Sequence, residues 1–358
     1  MKNSYKTKLL IVFSILIFSS YCANIAGSGS DLDDNGNEWL IPENQVVDGG
    51  PGKDGIPAIE GPEMIPVDQV NFLDDSDLIS GLRIGEMILG YPHKILDYHE
   101  IINHTIDDSK IVLSYCPLTG SALAWLSGET GNFTFGVSGL LYNSNLILYD
   151  RKTDSYWSQM SILCVNGERM SEVPEVHPVF ETTWKTWKEI NPGSLIMSIN
   201  TGYQRNYDEY PYGDYKSSDN LLFSVNNSDS RLHKKERVHG IFSENSAVAY
   251  PIDSFDGELT VLNHEINNEK IVVAISKALN FAISFKRELE DGTELEFAKV
   301  SNKLPIIMTD QFGNEWDLFG RSVSGPRSGE ELGKLTSYNA YWFAWAAFHP
   351  DSDIISGN

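Results

Sequence analysis

Apolar residues along this chain fall in short runs bounded by Gly, Asn and Pro. That is the pattern of strands rather than of long helices. Lys110–Tyr115 and Lys270–Ile275 are β-branched runs, and Ser121–Leu126, Asn132–Val137 and Asn145–Tyr149 are further strand candidates. Two segments read instead as helices, Thr182–Ile190 and Asn339–Phe348. Each carries two Trp three residues apart, which places both rings on one helix face. A proline closes each segment, Pro192 and Pro350.

The pattern also repeats. NHTIDDSKIVL at Asn103–Leu113 matches NHEINNEKIVV at Asn263–Val273 in six of eleven positions, at an offset of 160. Trp184–Ser198 and Trp342–Ser356 share two Trp, a Pro, two Ser and an Ile at an offset of 158. Tyr91-Pro92 pairs with Tyr250-Pro251, and Trp157 with Trp316, both at 159. Four collinear matches with a drifting offset indicate two homologous units. The expected fold is mainly β (α+β), with two β-rich units in pseudo-twofold arrangement, each carrying one short amphipathic helix. The expected boundaries are 61–198 and 238–358, joined by a tyrosine-rich connector over 199–237.

Composition narrows the function classes. The chain has 358 residues with 27 basic and 50 acidic side chains, a net charge of −23. Nucleic-acid backbones are therefore excluded as a default partner, since phosphate binding needs Lys and Arg. Three cysteines do not make a disulfide framework. Lys2, Lys6 and Lys8 precede an apolar run from Leu9 to Phe18, too short to span a bilayer. Small residues and Cys22 follow, so 1–22 reads as a secretory signal, with Cys22 where a bacterial lipoprotein cysteine would stand. The expected location is exported, periplasmic or on the outer surface, with the membrane reached only through this N-terminal anchor. Residues 23–60 hold eight acids against one Lys and few large apolar groups, and read as a flexible acidic tether.

The duplication separates scaffold from candidate chemistry. Trp157/Trp316, Trp184/Trp342 and Trp187/Trp345 occur in both units and are read as core. Asn103/Asn263 and His104/His264 are likewise read as turn and hydrogen-bond residues. Polar residues found in the first unit alone are better candidates. At the offset of 160, His99-Glu100 stands opposite Leu259-Thr260 and Cys116 opposite Ser276. Aligned on Trp157 and Trp316, Arg151 faces Asp310 and Gln159 faces Leu318.

Cys116 leads these candidates, at a strand end before the turn Pro117-Leu118-Thr119-Gly120. A cysteine there could be a nucleophile, with His99 and Glu100 as base and orienting group. It could equally be a small buried residue, a disulfide partner of Cys164, or a transition-metal ligand together with His99. No CxxC, HxH or HExxH motif is present, and no other cofactor signature is evident. Thr119, Asp150, Arg151, Gln159 and Arg205 are candidate substrate contacts, with Asp150-Arg151 equally readable as a solvated turn pair. Tyr203, Tyr207, Tyr210, Tyr212 and Tyr215 could wall a sugar or peptide groove, or clamp the connector onto the units. The basic run RLHKKER at Arg231–Arg237 could pair internally or meet an anion. Three readings follow: a thiol or metal-thiolate site in the first unit; an envelope binding module for a small molecule or envelope component, its groove between the units; or a structural surface protein.

At these same residues the chain resembles the bacterial domain of unknown function 3179 family. The resemblance rests on DGIPAI at Asp54–Ile59, HEIIN at His99–Asn103, YCPLTGSA at Tyr115–Ala122 and FGVSGLLYNSNLILYDRKT at Phe135–Thr153. SYWSQ at Ser155–Gln159, KKERVHG at Lys234–Gly240 and WFAWAAFHP at Trp342–Pro350 extend it. His104 and Asp154 stand where that family tends to Asp and Gly. The resemblance implies an exported or membrane-tethered protein and brings no established activity.

Overall fold

The computed structural model describes residues 38–126, 133–243 and 246–357. The proposed signal, Cys22 and the first part of the proposed tether lie outside them. The fold is mainly β, with six sheets and three short helices.

Sheet order repeats between the halves. In the first, Phe180–Thr183, Leu78–Ile84, Met87–Pro92 and Leu195–Met197 lie side by side. In the second, Ser337–Tyr341, Arg237–Ser243, Ser246–Pro251 and Asp353–Ile354 take the same order. The meander Ile101–Ile106, Ser109–Cys116, Ser121–Leu126 matches Thr260–Ile266, Glu269–Ser276, Phe281–Lys286. The sheet Phe135–Tyr142, Asn145–Asp150, Tyr156–Ser158, Leu163–Asn166 matches Phe297–Lys299, Ile306–Asp310, Glu315–Asp317, Ser322–Ser324.

Individual contacts repeat as well. Tyr91 Oη meets His104 Nδ1 at 2.8 Å, and Tyr250 Oη meets His264 Nδ1 at 2.7 Å. Asn103 brackets the backbone of Phe135, donating to its carbonyl and accepting from its N–H. Asn263 does the same to Phe297. These two pairs are therefore hydrogen-bonding scaffold, as expected, although they sit in strands rather than turns.

The helices are α1 (His93–His99), α2 (Trp184–Ile190) and α3 (Trp342–Phe348). The last two fall inside the expected segments, and Thr183 caps α2 by accepting from the Thr186 N–H. α1 corrects the expectation of one helix per unit. Its counterpart in the second half is only a 3-10 turn, Ile252–Ser254.

Packing between the halves is reciprocal. Trp342 and Trp345 of α3 join the first unit's Trp125, Phe135 and Trp157 in one core cluster. Trp184 and Trp187 of α2 join the second unit's Phe281, Phe297 and Trp316 in another. The seats for these rings need glycine. A Cβ on Gly81 would stand 2.0 Å from the Trp187 ring, and one on Gly240 would stand 2.0 Å from the Trp345 ring. Hydrogen bonds cross the same boundary, from the Tyr341 N–H to the Thr119 carbonyl and from Thr182 Oγ1 to the Leu279 carbonyl. Repeated order and reciprocal contacts are what a duplication leads one to expect. The pseudo-twofold axis itself is an expectation that rests on them.

The tether reading needs correction over its described part. Val46–Asp48 pairs with Phe135–Tyr142, and Ile59–Glu60 pairs with Ile101–Ile106. Ile41, Ala58 and Ile59 are buried. A segment too poor in apolar groups to fold alone can still complete the open edges of existing sheets. Among the described residues, no helix is long and apolar enough to cross a membrane.

Candidate functional site

The sequence candidates separate into an interior network, a surface pair and a cleft. Thr119 and Gln159 belong to the first. Asn145 Nδ2 donates to Gln159 Oε1 at 2.7 Å and to Thr119 Oγ1 at 2.9 Å. Ser121 Oγ donates to the same Gln159 oxygen at 2.8 Å, and Gln159 Nε2 donates to Ser114 Oγ at 3.0 Å. Every member is fully buried and satisfied, so Thr119 and Gln159 are scaffold and not substrate contacts. The second unit fills the corresponding positions with Ala274, Leu279, Phe281 and Leu318. A polar network in one half is thus an apolar core in the other.

Asp150 is also structural. It accepts from Thr153 N–H, from Thr153 Oγ1 and from Trp157 Nε1, the last at 3.1 Å. Asp310 accepts from Trp316 Nε1 at 2.9 Å. The twin of Asp310 is therefore Asp150, one residue from the Arg151 that sequence alignment paired with it. Arg151 is engaged at the surface, with the Glu60 carboxylate and with Asp54 at 3.7 Å. Arg205 is exposed, and among the described residues its side chain bonds only the carbonyl of Gln204, at 3.5 Å. The structure brings neither arginine into the cleft described below.

His99 does not serve Cys116. Its Nδ1 lies 2.8 Å from the Pro57 carbonyl, which can only accept, so Nδ1 carries the proton. Nε2 then accepts from Tyr207 Oη at 2.6 Å. Burial holds this imidazole below its ordinary pKa, and both nitrogens are taken. The proposed base for Cys116, and the proposed Cys116/His99 metal pair, therefore lose their histidine. Among the described residues no group of three His, Cys, Asp or Glu is placed to hold a metal ion.

Cys116 is 1% exposed and free, as is the buried Cys164, so no disulfide joins them. Burial, reinforced by the neighbouring Glu100, pushes the Cys116 thiol up to about 11. A thiol that stays protonated and covered is a poor nucleophile. Timed thiol titration of the native protein should therefore show the same fast phase for wild type and Cys116→Ser. The denatured variant should count one thiol fewer. A fast native thiol that vanishes in Cys116→Ser would reinstate the reactive-cysteine reading.

Glu100 remains, and its setting is unusual. It ends α1 at φ 56, ψ −33, a region that residues with a side chain rarely occupy. Two backbone bonds hold it there. Its N–H donates to the Leu96 carbonyl at 2.8 Å, and its carbonyl accepts from the Tyr115 N–H at 2.7 Å. The carboxyl is buried, with Tyr212 Oη donating to Oε1 at 3.1 Å. Among the described residues no cation pairs with it. Burial pushes it up to about 7. A carboxyl poised there can take or give a proton near neutral pH.

Glu100 lines a cleft of about 270 Å³ formed by the first unit with the segment around residues 49–56 and the connector. Ile56, Leu118, Val137, Leu141, Leu146 and Phe223 supply apolar wall, and Tyr212 is the other polar side chain. The connector closes over this end of the unit. Tyr207, Tyr212 and Tyr215 bond inward to His99, Glu100 and the Leu118 carbonyl, while Tyr203 is 44% exposed. Tyr207 and Tyr215 thus clamp the connector, and Tyr212 both clamps it and walls the cleft. The basic run is paired internally too, through Arg231 with Asp229, His233 with Asp219 and Arg237 with Glu181.

The second unit carries a related groove of about 470 Å³ at its own corresponding end. Leu259, Ala278, Leu279, Phe281 and Ile307 line it, with Leu259 next to Thr260, the counterpart of Glu100, and the exposed Glu189, Glu258 and Lys303 stand at its rim. No acid occupies the position of Glu100 there.

A further buried cluster went unnoticed in the sequence. His93 Nε2 lies 2.8 Å from Ser80 Oγ and 3.3 Å from Glu181 Oε2, and Arg237 pairs with Glu181. It is not a nucleophile triad. The hydroxyl and the acid meet the same ring nitrogen, whereas base and orienting acid must use opposite ones.

The fold defines a mainly β protein of six sheets and three short helices among the described residues. The chain belongs to the family described as protein of unknown function (DUF3179), which matches residues 53–352. No curated protein and no solved structure matches it.

Proposed function

We propose that this is an exported, membrane-tethered envelope protein whose first unit binds a small molecule in the Glu100 cleft. The observation that carries this reading is the contrast between the twin grooves. Both units keep a groove, and only the first places a buried, cation-free carboxyl in it, at a strained backbone position. Strain and a raised acid pKa are stability costs that a purely structural element does not need. Glu100 is the group that contacts ligand, and its near-neutral carboxyl gives the site acid–base capability. Cys116 is buried nearby, outside the lining of the cleft, with its thiol protonated.

A thermal-shift panel of amines, sugars, peptides and metal ions tests the site. Ligands that raise Tm in wild type should lose the effect in Glu100→Gln and retain it in Leu279→Ala, which alters the second groove. The opposite pattern would move the site to the second unit, and a panel without any shift would favour a structural role.

The envelope assignment rests on the basic start, the apolar run and Cys22. Wild-type protein should fractionate with membranes and Cys22→Ser should be released into the soluble exported fraction. Recovery of both in the cytoplasm would refute export.

A further inference from the structure

Resting on that reading, we propose that the cleft selects an organic ammonium, a positively charged amine on a compact apolar body. The walls admit an apolar body, and Glu100 and Tyr212 are the only polar side chains among the lining residues. A sugar would leave most of its hydroxyls unpaired against such walls. An anion would meet no Lys or Arg in the cleft, on a protein of net charge −23.

What the cleft lacks is a positive charge. Four other buried acids face a cation or accept several donors, although both Glu181 oxygens and one Asp97 oxygen lack a hydrogen bond. Glu181 faces Arg237, Asp97 faces Lys216 at 2.9 Å, and Asp150 and Asp310 accept several donors each. Glu100 has one hydroxyl donor, on Oε1. Among the described residues nothing donates to Oε2. The titratable groups that bear on it are Tyr212 from the connector, Asp97 from α1 and Cys116 from the adjoining strand. None of them is a cation. A bound ammonium would supply the missing charge and stabilise the carboxylate form.

Binding below neutral pH must then displace the carboxyl proton. Affinity for the ammonium should fall about tenfold per pH unit below the carboxyl's pKa and level off above it. A neutral isostere should show no such slope.

Three probes of one shape test this: 2-phenylethylammonium, 2-phenylethanol and 3-phenylpropanoate. Each is titrated calorimetrically into the full chain, and into Glu100→Gln, in two buffers of different ionisation enthalpy at moderate salt. The ammonium should bind wild type at least tenfold more tightly than the alcohol and release close to one proton at pH 6. Glu100→Gln should abolish both the preference and the release. Methyl NMR of Val137 and Leu146 reports cleft occupancy independently. If alcohol and ammonium bind equally with those methyls shifting, the cation selectivity is wrong and the cleft stands as a site. If no probe binds and the methyls stay still, the cleft reading falls with it.

Discussion

Glu181→Ala should cost roughly 3–5 kcal/mol of stability, the usual penalty for stranding the partner of a buried ion pair. Glu181 lies on Phe180–Thr183 in the first unit and is 2% exposed. Its carboxylate faces Arg237, the first residue of the second unit's strand Arg237–Ser243, and His93 of α1. Arg237 has one further side-chain partner, Asn280 Oδ1 at 3.3 Å. Without Glu181 its charge would sit between the units with that single neutral acceptor. His93 cannot compensate, because burial and the nearby Lys216 and Arg237 hold it neutral. At about 2.1 cal/mol/K of unfolding entropy per residue, a chain of 358 residues loses roughly 1.3 °C per kcal/mol, so Tm should fall by on the order of 5 °C. Replacing both partners, Glu181→Leu with Arg237→Met, should recover most of the loss, since an apolar pair leaves no charge stranded. Thermal and urea unfolding of the two variants measures this. A single-variant cost below about 1 kcal/mol would mean that the pair does not join the units.

Much of the scaffold was legible because it is written twice. The β-branched runs at 110–115 and 270–275, the paired tryptophans and both Trp-bearing helices are where the sequence puts them. What a single chain does not display is which partner each face meets. The sequence shows that Trp342 and Trp345 share a face. It does not show that the face, seated over Gly240 of its own unit, joins a core shared with the first unit's Trp125 and Trp157, because a short helix records its stripe and not its neighbour. Register is lost for a related reason. The units differ in loop length, so the offset drifts from 160 to 158, and a one-residue error put Arg151 where Asp150 belongs. α1 was missed because its seven residues carry four polar or charged side chains on a largely buried helix.

The candidate site was legible in place and not in chemistry. Asymmetry between the units pointed to His99, Glu100 and Cys116, and the cleft lies there. Within that group the sequence ranks Cys116 first, and the geometry favours Glu100. Cysteine was favoured for its intrinsic reactivity, but reactivity depends on access and on a nearby base. Cys116 has no access, and its expected base is tied between Pro57 and Tyr207. The value of Glu100 lies in burial without a counter-charge, and only the fold reveals that.

Glu100→Gln should leave stability nearly unchanged at pH 4.5 and raise it by roughly 3 kcal/mol above pH 8, following 1.36 kcal/mol per pKa unit. The sign follows from proton counting. Burial raises the folded carboxyl from its ordinary 4.5 to about 7, so between those values the native state holds a proton that the unfolded state has released. Stability from this group is therefore present below pH 4.5 and is lost as pH rises toward 7. Gln keeps the shape and the acceptor for Tyr212 and never ionises, so the loss is absent in the variant. Asp97, pushed up to about 6 by burial, acts in the same direction. The buried histidines, including His177 and His239 held down to about 4, act in the opposite one. The histidines are common to wild type and variant, so the difference between their stability curves reports Glu100 together with its coupling to Asp97. Urea unfolding at half-unit steps from pH 4.5 to 8.5 measures that difference. A flat difference would mean that Glu100 ionises normally, and would remove the physical basis for choosing it over Cys116 as the centre of the site.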